Sequence, residues 1–240
     1  MKYEITDDTI SSIWRTLHRI RALIDIPEHG VKAGDLGGYV ESVDNLSQEG
    51  TAWIADDAMV YGEAAVRGDA IVSGQARVCG EAMVYGSAMV YEYAKVSGYV
   101  QVYDEAEIYG DTLVRGYARV SGKARVYGCS AINESARVYG SAQVYGDTVI
   151  CGHAIVTGNA QVYGRAMVYD EAKVSGNSEI SGSARVYDEA KVYGAAQVYG
   201  VAEVCGNSEI SGSVEISGNK KIIDSVCTGG ATNGEARQWN

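Results

Sequence analysis

What the sequence lacks narrows its class before any motif is considered. No apolar stretch approaches the roughly 20 residues of a membrane-spanning helix, so no membrane partner is expected. The opening residues lack the pattern of a secretory signal peptide, which favours a cytoplasmic location. The five cysteines are odd in number and form no CxxC pair, so reduced thiols are expected rather than a disulfide framework or a metal centre.

Positive charge, histidine, proline and phenylalanine are also scarce. The formal net charge of −11 argues against a nucleic acid polymer as the main partner. There is no phenylalanine and a single proline, Pro27, whereas 30 residues are glycine. Glycine at a strict spacing indicates repeated turns rather than disorder. Only His18, His29 and His153 are histidines, and no cofactor is expected.

The repeat occupies residues 52–219, which consist of consecutive six-residue units without an insertion. Position 1 of each unit is usually alanine, position 3 is always valine or isoleucine, and position 5 is usually glycine. Alternate residues of a strand point to the same side, so positions 1 and 3 predict a short strand with an apolar inner face. Position 5 predicts a sharp corner with left-handed backbone. Acidic residues replace glycine there at Asp56, Glu92, Asp104, Glu134, Asp170 and Asp188.

Strands this short must be stabilised by stacking on equivalent strands, and three units make a coil of 18 residues. The sequence therefore predicts an all-β fold: a single-stranded parallel β-helix, a triangular prism of about nine coils. Residues 1–51 would form a small N-terminal cap, residues 52–219 the β-helix, and residues 220–240 a C-terminal cap and tail. Outward-facing apolar residues such as Trp53 and Met59 predict that residues 1–51 or another subunit cover the first coils.

The secondary structure of the N-terminal cap has two interpretations. A helix would place Ile13, Leu17, Ile20 and Ile24 in one stripe. A strand would place Ile20, Ala22, Ile24 and Ile26 on one side. Periodicity does not separate the two, but the β-branched residues before Pro27 favour the strand.

The Ala-x-Val-x-x-x units, such as Ala82-Met-Val-Tyr-Gly-Ser87, resemble the hexapeptide-repeat superfamily of parallel β-helices, and the resemblance implies a left-handed coil. The segment Val31-Lys-Ala-Gly-Asp-Leu-Gly-Gly-Tyr39, with Asn45-Leu-Ser-Gln-Glu-Gly50 before Trp53, is similar to the YdcK-like group and related phage or prophage proteins. No catalytic motif is carried over from that group. Acyltransferases of the superfamily use a catalytic histidine and usually a protruding loop, which the unbroken repeat lacks.

Stacking at the 18-residue spacing sorts the outward side chains onto three faces. The first face has a tyrosine ladder, either a structural stack or a strip that recognises planar ligands. The second has an apolar stripe, typical of a subunit interface. The third is basic, either simply solvated or anion-binding. The sets are Tyr91, Tyr109, Tyr127, Tyr145 and Tyr163; then Leu113, Ala131, Val149 and Met167; then Arg119, Arg137, Lys173 and Lys191.

Two further sets of residues are candidates for chemistry. Four acidic residues in two pairs 18 positions apart would either hold a hard cation such as calcium or form ordinary exposed corners. These candidate metal ligands are Asp170, Glu171, Asp188 and Glu189. His153 is the candidate catalytic base, with Cys151 nearby as a nucleophile. The alternative is a surface histidine in a repeat that has no cleft.

Together these features favour a non-catalytic, oligomeric binding scaffold of phage or prophage type over an enzyme. Self-association would give a dimer or a trimer, in the host cytoplasm if the protein is phage-encoded. The ligand would be a small planar or anionic molecule, such as a signalling nucleotide, in a corner or intersubunit pocket. Tyrosine stacking and Arg119 or Arg137 would bind it. The alternatives are a hexapeptide-repeat acyltransferase and a purely structural assembly protein.

Overall fold

A computed structural model of the chain describes residues 1–12, 14–229 and 237–239. These residues form two compact units, Met1–Tyr117 and Ala118–Asn240. The division falls inside the repeat, so each unit contains stacked six-residue units. No helix in the described part of the chain has the length and apolar character needed to span a membrane.

The first unit begins with two long strands and continues with short ones. Two 3-10 turns, Pro27–His29 and Val43–Asn45, separate its early strands. The strands are β1 (Tyr3–Ser12), β2 (Arg15–Ala22), β3 (Leu36–Val40), β4 (Trp53–Ile54), β5 (Met59–Val60), β6 (Ala65–Val66), β7 (Ile71–Val72), β8 (Arg77–Gly80), β9 (Met83–Val84), β10 (Met89–Val90), β11 (Lys95–Gly98), β12 (Gln101–Val102), β13 (Glu107–Ile108) and β14 (Leu113–Gly116).

The second unit consists of short strands throughout. They are β15 (Arg119–Val120), β16 (Arg125–Val126), β17 (Ala131–Ile132), β18 (Arg137–Val138), β19 (Gln143–Val144), β20 (Val149–Ile150), β21 (Ile155–Val156), β22 (Gln161–Val162), β23 (Met167–Val168), β24 (Lys173–Val174), β25 (Glu179–Ile180), β26 (Arg185–Val186), β27 (Lys191–Val192), β28 (Gln197–Val198), β29 (Glu203–Cys205), β30 (Glu209–Gly212), β31 (Glu215–Ile216), β32 (Lys221–Ile223), β33 (Val226–Gly229) and β34 (Arg237–Trp239).

Three sheets form each unit, because every third strand pairs with the next. In the first unit their orders are β1-β2-β3-β5-β8-β11-β14, β4-β7-β10-β13 and β6-β9-β12. In the second, the β15 sheet runs β15-β18-β21-β24-β27-β30-β33-β34, the β16 sheet β16-β19-β22-β25-β28-β31, and the β17 sheet β17-β20-β23-β26-β29-β32. The repeat strands pair in parallel at 18 residues, as in Val149↔Met167. The predicted parallel solenoid is confirmed, while its handedness and number of coils stay predictions.

The core has the composition that the repeat predicts. Alanine at position 1 and valine or isoleucine at position 3 are buried, as Ala160 and Val162 illustrate at 0% exposure. Where position 1 is serine or threonine, the buried hydroxyl donates a hydrogen bond to the carbonyl three residues earlier. Thr148 Oγ1, for example, lies 2.7 Å from the Tyr145 carbonyl oxygen. Each hydroxyl therefore finds a partner within its own corner, and the core tolerates these polar replacements.

The corners also agree with the sequence prediction. Position 5 has left-handed backbone whether it is glycine or acidic: φ is 68° at Gly152 and 57° at Asp170. The same conformation occurs at all six acidic replacements, namely Asp56, Glu92, Asp104, Glu134, Asp170 and Asp188. The corner therefore requires the conformation, and glycine is only its easiest occupant.

The N-terminal cap is a β-hairpin joined to the solenoid by a third strand. β1 pairs antiparallel with β2, β2 pairs antiparallel with β3, and β3 pairs in parallel with β5. The strand interpretation is confirmed, although β2 ends at Ala22 instead of continuing to Pro27. Ile13, part of the alternative helical stripe, lies outside the described residues.

The cap covers part of the first coils, as the outward apolar residues there predict. Leu17, Tyr39 and Tyr61 form a buried cluster, against which Met59 packs. Trp53 is only 1% exposed. Met83 and Met89, further along the repeat, are half-buried. Cover by residues 1–51 is therefore greatest over the earliest coils.

Lys2 joins the N-terminus to the first coil. Its ammonium group donates to the Ala52 carbonyl at 2.8 Å and contacts the Glu49 and Gly50 carbonyls at 3.4 Å. The residue is 3% exposed. Burial lowers the pKa of Lys2 from 10.5 to about 8, and the Asp69 carboxylate opposes this shift. The amine is therefore held by carbonyl oxygens in a site that disfavours its charge.

The parallel pairing continues beyond the regular repeat. β32 pairs with β29, and β33 pairs with β30 at a spacing of 17 residues, as in Glu209↔Val226. β34 then pairs antiparallel with β33. The remainder of the predicted C-terminal tail, residues 230–236 and 240, lies outside the described residues.

The lowered pKa of Lys2 predicts a specific dependence of stability on pH. Between about pH 8 and 10 the unfolded chain binds more protons at this site than the folded chain, so raising the pH favours folding there. Lys2→Met removes this contribution. The free energy of unfolding of the wild type, minus that of Lys2→Met, should rise by about 1–3 kcal/mol over this range.

Urea denaturation at several pH values measures this difference. Lys173→Met is the control, because Lys173 is an exposed lysine on β24. Its difference from the wild type should stay nearly constant with pH. Parallel pH profiles for the wild type and Lys2→Met would show that the Lys2 amine does not titrate as its burial implies.

Candidate functional site

Tyrosines at position 4 form stacked ladders along the corners. In the second unit, Tyr127, Tyr145 and Tyr163 have ring centroids 4.9 Å apart and nearly parallel planes. In the first unit, Tyr91 and Tyr109 stack with centroids 4.8 Å apart. The predicted tyrosine ladder is therefore present in each unit, with the spacing that stacked strands impose.

The hydroxyls of these tyrosines reach the strand of the following coil. Tyr145 Oη donates to Gln161 Oε1 at 3.4 Å, Tyr163 Oη donates to Glu179 Oε1, and Tyr199 Oη donates to Glu215 Oε2 at 3.3 Å. In each pair the acceptor lies 16 residues after the tyrosine. The bond to the Glu179 carboxylate is the main cause of the raised pKa of Tyr163. Each ring thus leans over the outer face of the β16 sheet.

This stacking decides which aromatic surfaces a ligand can use. Both faces of Tyr145 are covered, by Tyr127 and Tyr163, at 4.9 Å. A third ring between two stacked neighbours would need about twice that separation. Rings inside a ladder therefore stabilise the corner, by about 0.5–1.5 kcal/mol per pair beyond the area buried. A ligand can stack only where a ladder ends or is interrupted.

Three tyrosine pairs were not identified among the candidate residues. Tyr85 stacks on Tyr103 with centroids 5.1 Å apart. The pairs Tyr99–Tyr117 and Tyr169–Tyr187 stack at 4.9 Å. Each pair is separated by 18 residues in the sequence, so the signal that predicts the first ladder also predicts these.

The predicted basic residues lie on the β15 sheet. Arg119 pairs with Arg137, Arg137 with Ile155, and Lys173 with Lys191. Lys191 forms an ion pair with Glu209 at 2.7 Å. The tyrosine hydroxyls lie over the β16 sheet instead. The structure therefore does not bring Arg119 or Arg137 together with the ladder in one pocket.

The predicted apolar stripe lies in register on the β17 sheet. Ala131 pairs with Val149, and Val149 pairs with Met167. All three side chains are half-buried, and the next position is Arg185. Leu113 lies on β14 of the first unit, opposite Lys95. Within the second unit, the stripe is thus a short apolar strip that ends at a charged residue.

An apolar groove in the first unit was not predicted. It has a volume of about 380 Å³ and is lined by Ala65, Arg67, Gly68, Met83, Tyr85 and Gly86. Its floor is formed by outward side chains of β6 and β9, and one ring, Tyr85, is held against Tyr103. The Arg67 side chain is exposed and forms no hydrogen bond or ion pair with the described residues. An aromatic ring and an available cation therefore meet here.

The candidate catalytic pair does not form an activated nucleophile. His153 is exposed at a corner, and its ring forms no hydrogen bond with the described residues. Burial raises the pKa of the Cys151 thiol, and the Glu134 and Asp170 carboxylates add to the effect. A raised pKa keeps the thiol protonated, whereas a nucleophilic cysteine requires the thiolate.

The corner carboxylates have a structural partner instead. The Gly206 backbone N–H donates to Asp188 Oδ2 at 2.9 Å, and the Asp188 N–H lies 3.4 Å from Asp170 Oδ2. The Gly152 N–H donates in the same way to Glu134 Oε2 at 2.6 Å. Among the described residues, no group of three or more histidine, cysteine, aspartate or glutamate side chains could hold a metal ion. Asp170 and Asp188 thus join successive corners.

Stacked parallel strands at a fixed 18-residue register, with corners in left-handed backbone, define a β-solenoid repeat scaffold. The chain is a YdcK-like β-solenoid: the family described as the YdcK beta solenoid repeat matches residues 76–92 and 160–178. One match lies in each unit and covers about one coil. No curated protein matches the chain.

The corner carboxylates predict a ranked series of stabilities at Asp188. Asp188→Ala should lower the free energy of unfolding by about 1–3 kcal/mol, because it loses the bond to Gly206 and strains a left-handed position. Asp188→Gly should cost less, since glycine adopts that backbone freely. Asp188→Asn should cost least, because the amide oxygen still accepts the hydrogen bond.

Urea denaturation gives the three values. Glu189→Ala is the control, because Glu189 is the exposed neighbour that has ordinary backbone at the same corner. Its effect should stay within about 0.5 kcal/mol. Equal losses for Asp188→Ala and Glu189→Ala would contradict the structural role of the corner carboxylate.

Proposed function

We propose that this protein is a non-catalytic binding scaffold that captures a small planar ligand carrying a negative charge. The β-solenoid is the rigid support, and the groove between β6 and β9 is the binding site. The presence of Arg67 beside Tyr85 above an apolar floor is the observation that favours this function most.

The chemistry of the groove suits a nucleotide. Stacking on Tyr103 fixes the Tyr85 ring in place, so little conformational freedom is lost when a base stacks in the groove. Ala65 and Met83 supply apolar contact for the same base. The planar guanidinium of Arg67 can donate two parallel hydrogen bonds to a phosphate or carboxylate. The ligand class is the one that the sequence suggests, a small planar anion such as a signalling nucleotide, at different residues.

The acyltransferase alternative receives no support from the geometry around His153. Self-association is part of the proposal, because the strip of Ala131, Val149 and Met167 presents apolar side chains in register. Phage or prophage origin and a cytoplasmic location are proposed on the resemblance and on the absence of a leader pattern.

Ligand capture predicts a thermal shift. Purified protein is screened with cyclic AMP, AMP, GMP and cyclic dinucleotides, and at least one of them should raise the melting temperature. Arg67→Ala should weaken binding of that ligand roughly tenfold or more, because hydrogen bonds to charged groups contribute about 1.5–3 kcal/mol.

Arg77→Ala is the matched control, since Arg77 is an exposed arginine on β8 that does not line the groove. It should leave binding unchanged. A panel without any thermal shift, together with no small molecule found by mass spectrometry in the purified protein, would favour the purely structural alternative.

Self-association predicts a mass of two or three chains by size-exclusion light scattering. Val149→Glu puts a charge in the middle of the apolar strip and should produce monomers. Gln143→Glu adds the same charge on the β16 sheet and should leave the oligomer intact. A monomeric wild type, or an oligomer that Val149→Glu does not change, would remove the interface from the proposal.

A further inference from the structure

The tyrosine ladder of the second unit is interrupted once by a small residue. Tyr127, Tyr145 and Tyr163 occupy successive corners, Ser181 occupies the next, and Tyr199 follows. The backbone remains regular through the interruption: the amides of Tyr163, Ser181 and Tyr199 each donate to the next coil at 2.9 Å. The rings of Tyr163 and Tyr199 are therefore two ladder steps apart, with one ring missing between them.

The hydrogen-bond acceptor for the missing ring is still present. Each tyrosine of this ladder donates to the residue 16 positions later, as Tyr145 does to Gln161. For position 181 that residue is Gln197. Its amide nitrogen lies 3.4 Å from Glu179 Oε2, while its carbonyl oxygen accepts no hydrogen bond from the described residues. A hydroxyl donor is thus missing together with the ring.

The neighbouring ring is correspondingly uncovered. Tyr199 is 37% exposed, whereas Tyr145 and Tyr163 are half-buried. Serine occupies the same corner position on both sides of it, at Ser181 and Ser217. The face of Tyr199 towards Ser181 and the facing side of Tyr163 therefore form two walls of a slot. A ring at its midpoint would lie at the 4.9 Å spacing that Tyr145 and Tyr163 show.

We propose that this slot is a binding site for a neutral, single aromatic ring that carries a hydroxyl group, a small phenol. The ring would stack between Tyr163 and Tyr199, and its hydroxyl would donate to Gln197 Oε1. The Glu179 carboxylate at the edge of the slot disfavours an anionic ring. This ligand class differs from that of the Arg67 groove, so the inference does not depend on the proposed function.

Binding of p-cresol, which is the tyrosine side chain as a free molecule, tests the site by saturation-transfer NMR and titration calorimetry. The wild type should bind one p-cresol per chain. Ser181→Tyr fills the slot from within the chain and should reduce binding at least roughly tenfold, since a stacked ring occupies the same space. Ser181→Ala keeps the slot open and should bind as the wild type does.

Two variants test the geometry beyond simple occlusion. Tyr145→Ser should create an equivalent slot opposite Gln161 and raise the stoichiometry from one to two. Gln197→Leu removes the acceptor and should abolish the preference for p-cresol over toluene. Ser181→Phe serves as the second blocking variant if Ser181→Tyr does not fold, as judged by circular dichroism.

The outcomes are decisive in both directions. Loss of binding in Ser181→Tyr or Ser181→Phe, with retention in Ser181→Ala, supports the site. Equal p-cresol binding by the wild type and a folded blocking variant overturns it, as does absence of binding to the wild type. A nucleotide bound through Arg67 with no effect of position 181 would leave the proposed function intact and reject only this slot.

Discussion

The conformation of one residue in every six sets the rest of this structure. A strand of two residues can pair with the next coil only if the chain turns sharply after it, and the turn requires left-handed backbone at position 5. The corners are so closely stacked that a Cβ atom at Gly152 would come within 2.7 Å of the Asp170 nitrogen. Conformation and crowding together explain why small or hydrogen-bonding residues recur there.

Much of the fold follows from the sequence because the repeat states the same rule many times. Inward alanine and valine, the 18-residue register and the acidic corners were all predictable from position alone. The N-terminal cap was predictable only as strand. Its bulge between Arg19 and Arg21, and the end of β2 before Pro27, depend on tertiary pairing with β3 that no local pattern encodes.

The candidate site was less predictable for a physical reason. The sequence identifies which side chains point outward, but not which way a long side chain leans. Tyr145 and Tyr163 lean over the β16 sheet towards Gln161 and Glu179, away from the arginines of the β15 sheet. The same regular spacing that stabilises a ladder hides its ring faces. Binding chemistry is therefore found where the regularity fails, at Arg67 before Tyr85 and at Ser181 after Tyr163.

The two periods of the chain, six inside and eighteen outside, have different tolerance to changes of length. Gain or loss of one six-residue unit would leave the apolar interior unchanged, yet every later side chain would move to the neighbouring face. Tyrosines would then lie above arginines, and corner carboxylates would lose the amides they accept from. Only steps of three units preserve the columns. A lineage of such proteins can therefore vary in length without losing its surfaces only by whole coils.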